Sequence, residues 1–268
     1  MRIDVLTLFP DALMPMLRIG VLGRALEEGL LTVSLTNPRD FAHDRRRTVD
    51  DTPYGGGAGM VMRCEPLFEA VESLIGVNSL EHVILLSPRG RVFDQQVARD
   101  LSRLNDMVLI CARYEGVDER VSRQLITDEI SIGDYVLSGG ESAALVVIEA
   151  LSRMLPGVVG DWESVETDSF YHGLLGPPQY TRPPVFKGDA VPQVLLEGNH
   201  AAIQRWRRKE ALRATRARRP DLLKQLSEEE LELLAELGAE PPMPEKENKP
   251  EHSAGICKCT KQSRRQHP

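Results

Sequence analysis

The stretches VILLSPRGRVF (Val83–Phe93) and MVLICARYEGVDERV (Met107–Val121) decide the fold. Each opens on an unbroken apolar run and then breaks into a turn containing glycine. Unbroken rather than alternating apolar character marks a strand buried on both faces, as in parallel sheets covered by helices. Similar strands are expected at Ile3–Leu8 and Leu31–Leu35, with helical patterns between them at Gly23–Glu28, Glu65–Leu74 and Gln95–Leu104. A longer apolar helix, Glu141–Met154, follows Gly139-Gly140, and Pro156-Gly157 closes the block. Alternating strands and helices predict an α/β protein with a mostly parallel sheet.

From residue 161 to 182 periodicity is lost and prolines accumulate, so an interdomain linker is expected there. A small all-helical domain is expected over 183–238. Its first helix spans His200–Arg218, with Asn199 as N-cap and Pro220 as stop. The second starts on a capping box, Ser227 with Glu230 three residues on, and runs to Leu237. Residues 239–268 are Pro-, Glu-, Lys- and Ser-rich and read as a disordered tail.

No apolar run of eighteen residues occurs, and the N-terminus reads as a strand rather than a secretory signal, so a cytoplasmic protein is expected. The four cysteines form no disulfide framework. Cys257 and Cys259, with His252 and His267 nearby, lack the second half of a zinc site, and no metal is expected. The net charge of −7 conceals a segregation: Arg205 to Lys224 holds nine basic residues against two acidic ones, a surplus of +7. Such a run is either a solvated face or a footprint for a phosphate backbone, with Trp206 adding a stacking surface.

Two glycine-rich features carry chemistry. DDTPYGGGAGMVM (Asp50–Met62) fits neither a P-loop nor a dinucleotide turn, and alone it reads equally as a surface loop or a binding loop. LSPRGRVF, CARYEGVDERV and DEISIGDYVLSGGE lie at or just beyond strand ends, where open α/β sheets collect ligands. They read as a pocket walled largely by backbone, suited to an adenine, or as three ordinary turns.

These segments, with SRMLPGVVG, TDSF, YTRPPVF and GNHAAIQRWR, stand in the order and spacing of a known family. From the first strand to about Leu223 the chain resembles the tRNA (guanine-N1)-methyltransferases of the trefoil-knotted SPOUT class, TrmD. The resemblance implies a knot in the α/β domain, residues 1–160, and S-adenosylmethionine bound within it. The matching positions are Leu86, Ser87, Pro88, Ala112, Tyr114, Glu115, Ile132, Gly133, Asp134, Tyr135, Val136, Leu137, Gly139 and Gly140. It implies Asp168 as general base, Arg153 as the cation stabilising charge on guanine O6, and Asp50 as a further residue of the activity. A homodimer with the site between subunits is implied, and tRNA contact by Arg182, Arg205, Arg208, Lys209, Arg213 and Arg216. Magnesium dependence stays open. Three positions depart from the pattern: Ala112 for the usual Gly, Gly176 for an acidic residue, and Glu197 for Ser. The competing readings are a non-catalytic RNA-binding protein and a SPOUT methyltransferase of another nucleotide.

Overall fold

The computed structural model describes residues 1–75, 82–224 and 226–239. The chain forms two compact units that divide between Gly176 and Pro177. The first unit runs β1 (Arg2–Leu6), α1 (Pro10–Leu17), α2 (Gly20–Glu27), β2 (Thr32–Thr36), β3 (Asp50–Asp51) and β4 (Val61–Met62). It continues with α3 (Cys64–Ile75), β5 (Val83–Val92), α4 (Gln95–Leu101), β6 (Asp106–Cys111), α5 (Glu119–Gln124), β7 (Asp128–Ser131), α6 (Glu141–Ser152) and α7 (Trp162–Glu166).

Five strands pair in parallel in the order β2-β1-β6-β5-β7. Their side chains alternate between two apolar layers. Ile3, Val5, Ile84, Leu86, Met107 and Leu109 face α1, α2, α4 and α6, while Leu6, Val83, Leu85, Val108 and Ile110 face α3 and α5. Burial on both faces explains why β6 and the first half of β5 read as continuous apolar runs, whereas the edge strand β2 is only partly buried. The short β7 was missed as a strand because only Ile130 and Ser131 of its four residues are buried.

The connection expected over 161–182 divides. Its first part holds α7 and belongs to the first unit, with Val165 and Leu174 buried.

The second unit contains β8 (Val185–Phe186), β9 (Asp189–Ala190), α8 (His200–Arg218) and α9 (Glu228–Ala239). It is therefore not all-helical, because β8 and β9 form an antiparallel hairpin. The cause is local: Lys187 and Gly188 both take positive φ, 52° and 84°, the two-residue turn whose twist matches a hairpin. Sequence reading missed it because Lys-Gly is a weaker turn signal than Asn-Gly. Asn199 caps α8 by accepting from the Ala202 amide at 3.2 Å. The capping box of α9 forms as read, with the Ser227 amide donating to Glu230 at 2.6 Å and the Glu230 amide to Ser227 Oγ at 3.3 Å. The cysteine-containing tail lies outside the described residues.

Candidate functional site

A cavity of about 350 Å³ lies in the first unit, at the carboxyl ends of β6 and β7 and beside the mid-strand register shift of β5. Three segments wall it: Leu85–Arg89, Ala112–Val117 and Glu129–Gly140, with Ser122 and Ala143. Of the positions expected to hold S-adenosylmethionine, all line this cavity except Asp134, which is exposed and outside the lining. Arg113, Glu129, Ser138 and Ala143 line it without having been singled out. Glu129 enters the lining from within β7, where it pairs with Leu85 in the sheet, and no sequence signal marked it because β7 itself was not recognised.

Two glycines show why side chains are kept small here. A Cβ on Gly140 would stand 2.7 Å from the Cys111 Cα, so the start of α6 can abut the end of β6 only without one. Gly133 has φ +145°, and its Cβ would meet the Tyr135 ring at 2.6 Å. The Gly140 amide donates to the Ala112 carbonyl at 2.9 Å, which ties the third wall to the second. Behind this contact Glu141 accepts from Thr7 Oγ1 at 2.9 Å and from Arg113 Nε at 3.2 Å, while the Arg113 guanidinium lies 4.4 Å over the Phe9 ring. Burial, reinforced by the nearby Glu141 charge, pushes the Cys111 thiol far above its ordinary range, so it serves as a neutral packing group.

β3 and β4 form a hairpin stitched to the second wall: the Glu115 amide donates to the Met60 carbonyl and the Met62 amide to the Gly116 carbonyl, both at 2.9 Å. Its tip projects away, for Gly55, Gly56 and Gly57 have open space around them and Tyr54 is fully exposed. The base of the hairpin carries Asp50 beside Tyr114. Partial burial, then the Asp50 charge, raise the Tyr114 hydroxyl above its ordinary value, so the phenol stays protonated at neutral pH.

The second constellation is Arg153 with Asp168. Arg153 ends α6 and donates from Nη2 to Asp168 Oδ2 at 2.5 Å, with both side chains partly exposed. Asp168 sits in a turn held at several points. The Phe170 amide donates to the Leu174 carbonyl at 2.7 Å and the Gly176 amide to Ser169 Oγ at 2.8 Å. Arg99 of α4 donates to the Tyr171 carbonyl at 2.6 Å and lies 4.4 Å over the Tyr171 ring. His172 is exposed and packs edge-on against Tyr171.

The structure does not bring these two groups together within one chain. The cavity is at the N-terminal end of α6 and Arg153 at its C-terminal end. Thirteen residues at 1.5 Å each separate Gly140 from Arg153, about 20 Å.

In the second unit, the basic residues expected to meet tRNA are largely engaged. Arg205 and Lys209 pair with Glu236 at 2.5 and 3.1 Å, Arg208 pairs with Glu230, Arg213 with Glu210, and Arg216 donates to the Leu237 carbonyl at 3.3 Å. The surplus counted along α8 alone omitted α9, whose carboxylates offset much of it in space. Arg182 is exposed, in the segment before β8.

Among the described residues no helix is long and apolar enough to cross a membrane, and no group of three or more His, Cys, Asp or Glu could hold a metal ion.

A family model described as tRNA (guanine-1)-methyltransferase TrmD matches residues 1–225. A tRNA (guanine-N(1)-)-methyltransferase of Dehalococcoides mccartyi is 54% identical over 243 residues, covering 90% of this chain and 98% of the relative. The proteins of the same name from Dictyoglomus turgidum and Moorella thermoacetica are 52% identical over 242 residues and 53% over 241. Those matches cover 90% and 88% of this chain, and 98% and 96% of the relatives. With the strand-end cavity and the Arg153–Asp168 pair already in place, the chain belongs to the tRNA (guanine-1)-methyltransferase family.

Proposed function

We propose that the chain is a cytoplasmic homodimeric enzyme that methylates N1 of the tRNA guanosine immediately 3′ of the anticodon, position 37, using S-adenosylmethionine. The observation that carries the reading is the pairing of a backbone-walled cavity with an Arg–carboxylate pair of the right chemistry. The cavity suits the cofactor: it is of ligand size, has apolar flanks in Leu86, Val136 and Leu137, and offers main-chain donors and acceptors close enough to read an adenine edge. Bound there, S-adenosylmethionine would supply an electrophilic sulfonium methyl group.

The protein's own residues do the rest. Guanine N1 carries a proton and is a poor nucleophile until that proton leaves. Asp168 accepts it as a general base. An aspartate with an ordinary pKa of about 4 is weak for this task. Arg153 helps by stabilising the negative charge that develops on O6, and its 2.5 Å contact holds the carboxylate in place. The pinned turn around Asp168 fixes the base relative to the guanine, and such positioning contributes to the rate. Asp50, beside Tyr114 at the second wall, orients the phenol at the cavity edge.

The separation along α6 supports a homodimer. If the pair serves the cavity, it must serve the cavity of a second copy. The packed helices α1, α2 and α6 leave Met16, Ile19, Val21 and Val146 exposed, an apolar surface suited to that copy. The knot belongs to the same proposal: Ser131 at the end of β7 pairs with Val92, and the following chain returns to contact Ala112 and Arg113. In the second unit, Arg205, Arg208, Lys209, Arg213 and Arg216 of α8 and Arg182 before β8 contribute charge toward tRNA, with the carboxylate partners of Arg205, Arg208, Lys209 and Arg213 tempering its strength.

Mixing two inactive variants tests the shared site. Asp168→Asn removes the base, and Leu137→Glu blocks the cavity at a partly exposed position. Random mixing makes half the dimers heterodimers with one intact site of two, so about a quarter of wild-type activity should return. No recovery with dimers demonstrably exchanged would refute the shared site. Mass spectrometry of the methylated nucleoside in the same assay decides the atom: 1-methylguanosine is expected, and a 2′-O-methyl product would favour the other SPOUT reading.

A further inference from the structure

α8 has two unlike faces. One meets α9, where Glu230 and Glu236 neutralise Arg205, Arg208 and Lys209. The other carries Ile203, Trp206 and Arg207, spaced i, i+3, i+4, which line a second cavity of about 370 Å³ inside the second unit. Tyr180, Arg182 and Leu196 stand opposite. The Tyr180 and Trp206 rings are 6.2 Å apart and inclined by 55°, and Tyr180 is 47% exposed. No carboxylate lines the cavity. Neither Arg182 nor Arg207 has an ion-pair partner among the described residues, in contrast to their neighbours on the α9 side.

This is an unusual combination for a gap left by packing. An exposed Tyr180 ring beside a half-buried Trp206 favours a flat ring, and two guanidinium groups with no carboxylate in the lining favour an anion. A nucleotide presents both, a base and a phosphate, joined at a distance a cavity of this size spans. An apolar peptide would use the aromatic wall but leave both cations unanswered. A paired RNA stem would use the cations but keep its bases stacked and out of reach.

We propose that this cavity holds one unpaired nucleotide of the tRNA other than the guanosine methylated, with its base against Trp206 and Tyr180 and its phosphate on Arg182 and Arg207. The assignment rests on the tRNA reading above and says which part of the RNA the second unit grips: a loop nucleotide rather than a stem. The site adds affinity and register, while the chemistry remains with Asp168.

The test uses full-length protein, an anticodon stem-loop RNA, and a set of the same RNA each lacking one loop base. Wild-type protein should bind one of the abasic RNAs about tenfold more weakly than the intact one. Trp206→Leu should bind intact RNA about tenfold more weakly, leave kcat within about twofold, and show no further loss on that same abasic RNA. Arg207→Gln should lower the slope of log affinity against log salt by about 0.7, one single-strand phosphate contact. If Trp206→Leu disturbs folding, Tyr180→Leu enters the same cycle. Equal losses on every abasic RNA would mean the cavity takes a protein segment or nothing, and would overturn the proposal, as would unchanged binding. Methyl transfer is scored on the same samples. Absence of transfer with the base-specific coupling intact would refute the enzymatic reading alone.

Discussion

The two units are held together by different physics. In the first, Ile3, Met107, Leu109 and Ile110 of the sheet are fully buried, and Asp4 of β1, a charge equally buried at a strand centre, is paired with Arg2 at 2.9 Å. In the second, α8 and α9 bury little beyond Ala211, Leu212, Leu233 and Leu237, and charged pairs frame that strip. Burying a large aliphatic side chain is worth about 1.5–3 kcal/mol, whereas an exposed ion pair contributes about 0–1 kcal/mol. The first unit is thus built to hold atoms at fixed distances, and the second to present charge on an adjustable frame. This matches the proposed division of labour, in which the first unit carries the chemistry and the second grips the tRNA.

The sharpest way to break that division is to remove the base. Asp168→Asn keeps the shape and much of the hydrogen bonding to Arg153 but cannot accept the N1 proton. It should lower kcat by about 10²–10⁴-fold while leaving the Kd for S-adenosylmethionine and the KM for tRNA near wild type. Single-turnover kinetics with calorimetry of cofactor binding separates these quantities. A comparable loss from a second-unit variant such as Trp206→Leu, in kcat rather than KM, would show that the chemistry is not confined to the first unit.

The same contrast explains what could be read from sequence. β1, β5 and β6 were legible because burial on both faces writes itself as largely apolar runs, β2 by its leucines and β-branched residues although it is only partly buried, and α8 because Asn199 and Pro220 punctuate it. The cavity was legible as three strand-end turns. What escaped depends on partners distant in sequence. The hold of Arg99 on Tyr171 joins residues 72 apart, so nothing near Asp168 revealed that its turn is built into the first unit. The charge of α8 looked unopposed because Glu230 and Glu236 lie more than twenty positions away. Asp134 was carried over with its neighbours, yet in an irregular turn adjacent residues point in different directions, and this one stays outside the cavity lining that Gly133 and Tyr135 join.

Acid should separate the units. Burial opposes the charge on Glu230, but the Ser227 amide and the Arg208 guanidinium outweigh it and hold its pKa below the ordinary 4.5. A carboxylate with a lowered folded pKa stabilises fully above its unfolded value, and that stability is lost as pH falls through the folded value. The α8–α9 pair should therefore loosen as pH drops from about 4.5. In the first unit, Asp118 keeps its charge to lower pH because Arg120 donates to it from both side chain and backbone. Hydrogen exchange between pH 6 and pH 3 should show α8 and α9 amides losing protection before those of β1 and β6. Glu230→Gln should cost the second unit about 1 kcal/mol at neutral pH and flatten this dependence. Simultaneous loss of protection in both units would mean that they share one cooperative transition.

The smallest effect concerns the hairpin that sequence reading missed, and it tests whether the second unit is limited by its backbone or by its charges. Lys187 occupies a left-handed conformation, φ 52°, with its ammonium 5.5 Å from the centroid of the Phe186 ring. A residue with Cβ is disfavoured there, and asparagine less so than lysine because its short polar side chain tolerates this region. Against that gain stands the lost cation–π contact, worth about 0.5 kcal/mol at an exposed site. Lys187→Asn should therefore change stability by only about 0.5 kcal/mol, read as the urea midpoint of second-unit unfolding. A clear rise would place the strain at the turn above the ring contact. A clear fall would mean that even this short hairpin relies on charge, extending to β8 and β9 the rule that governs α8 and α9.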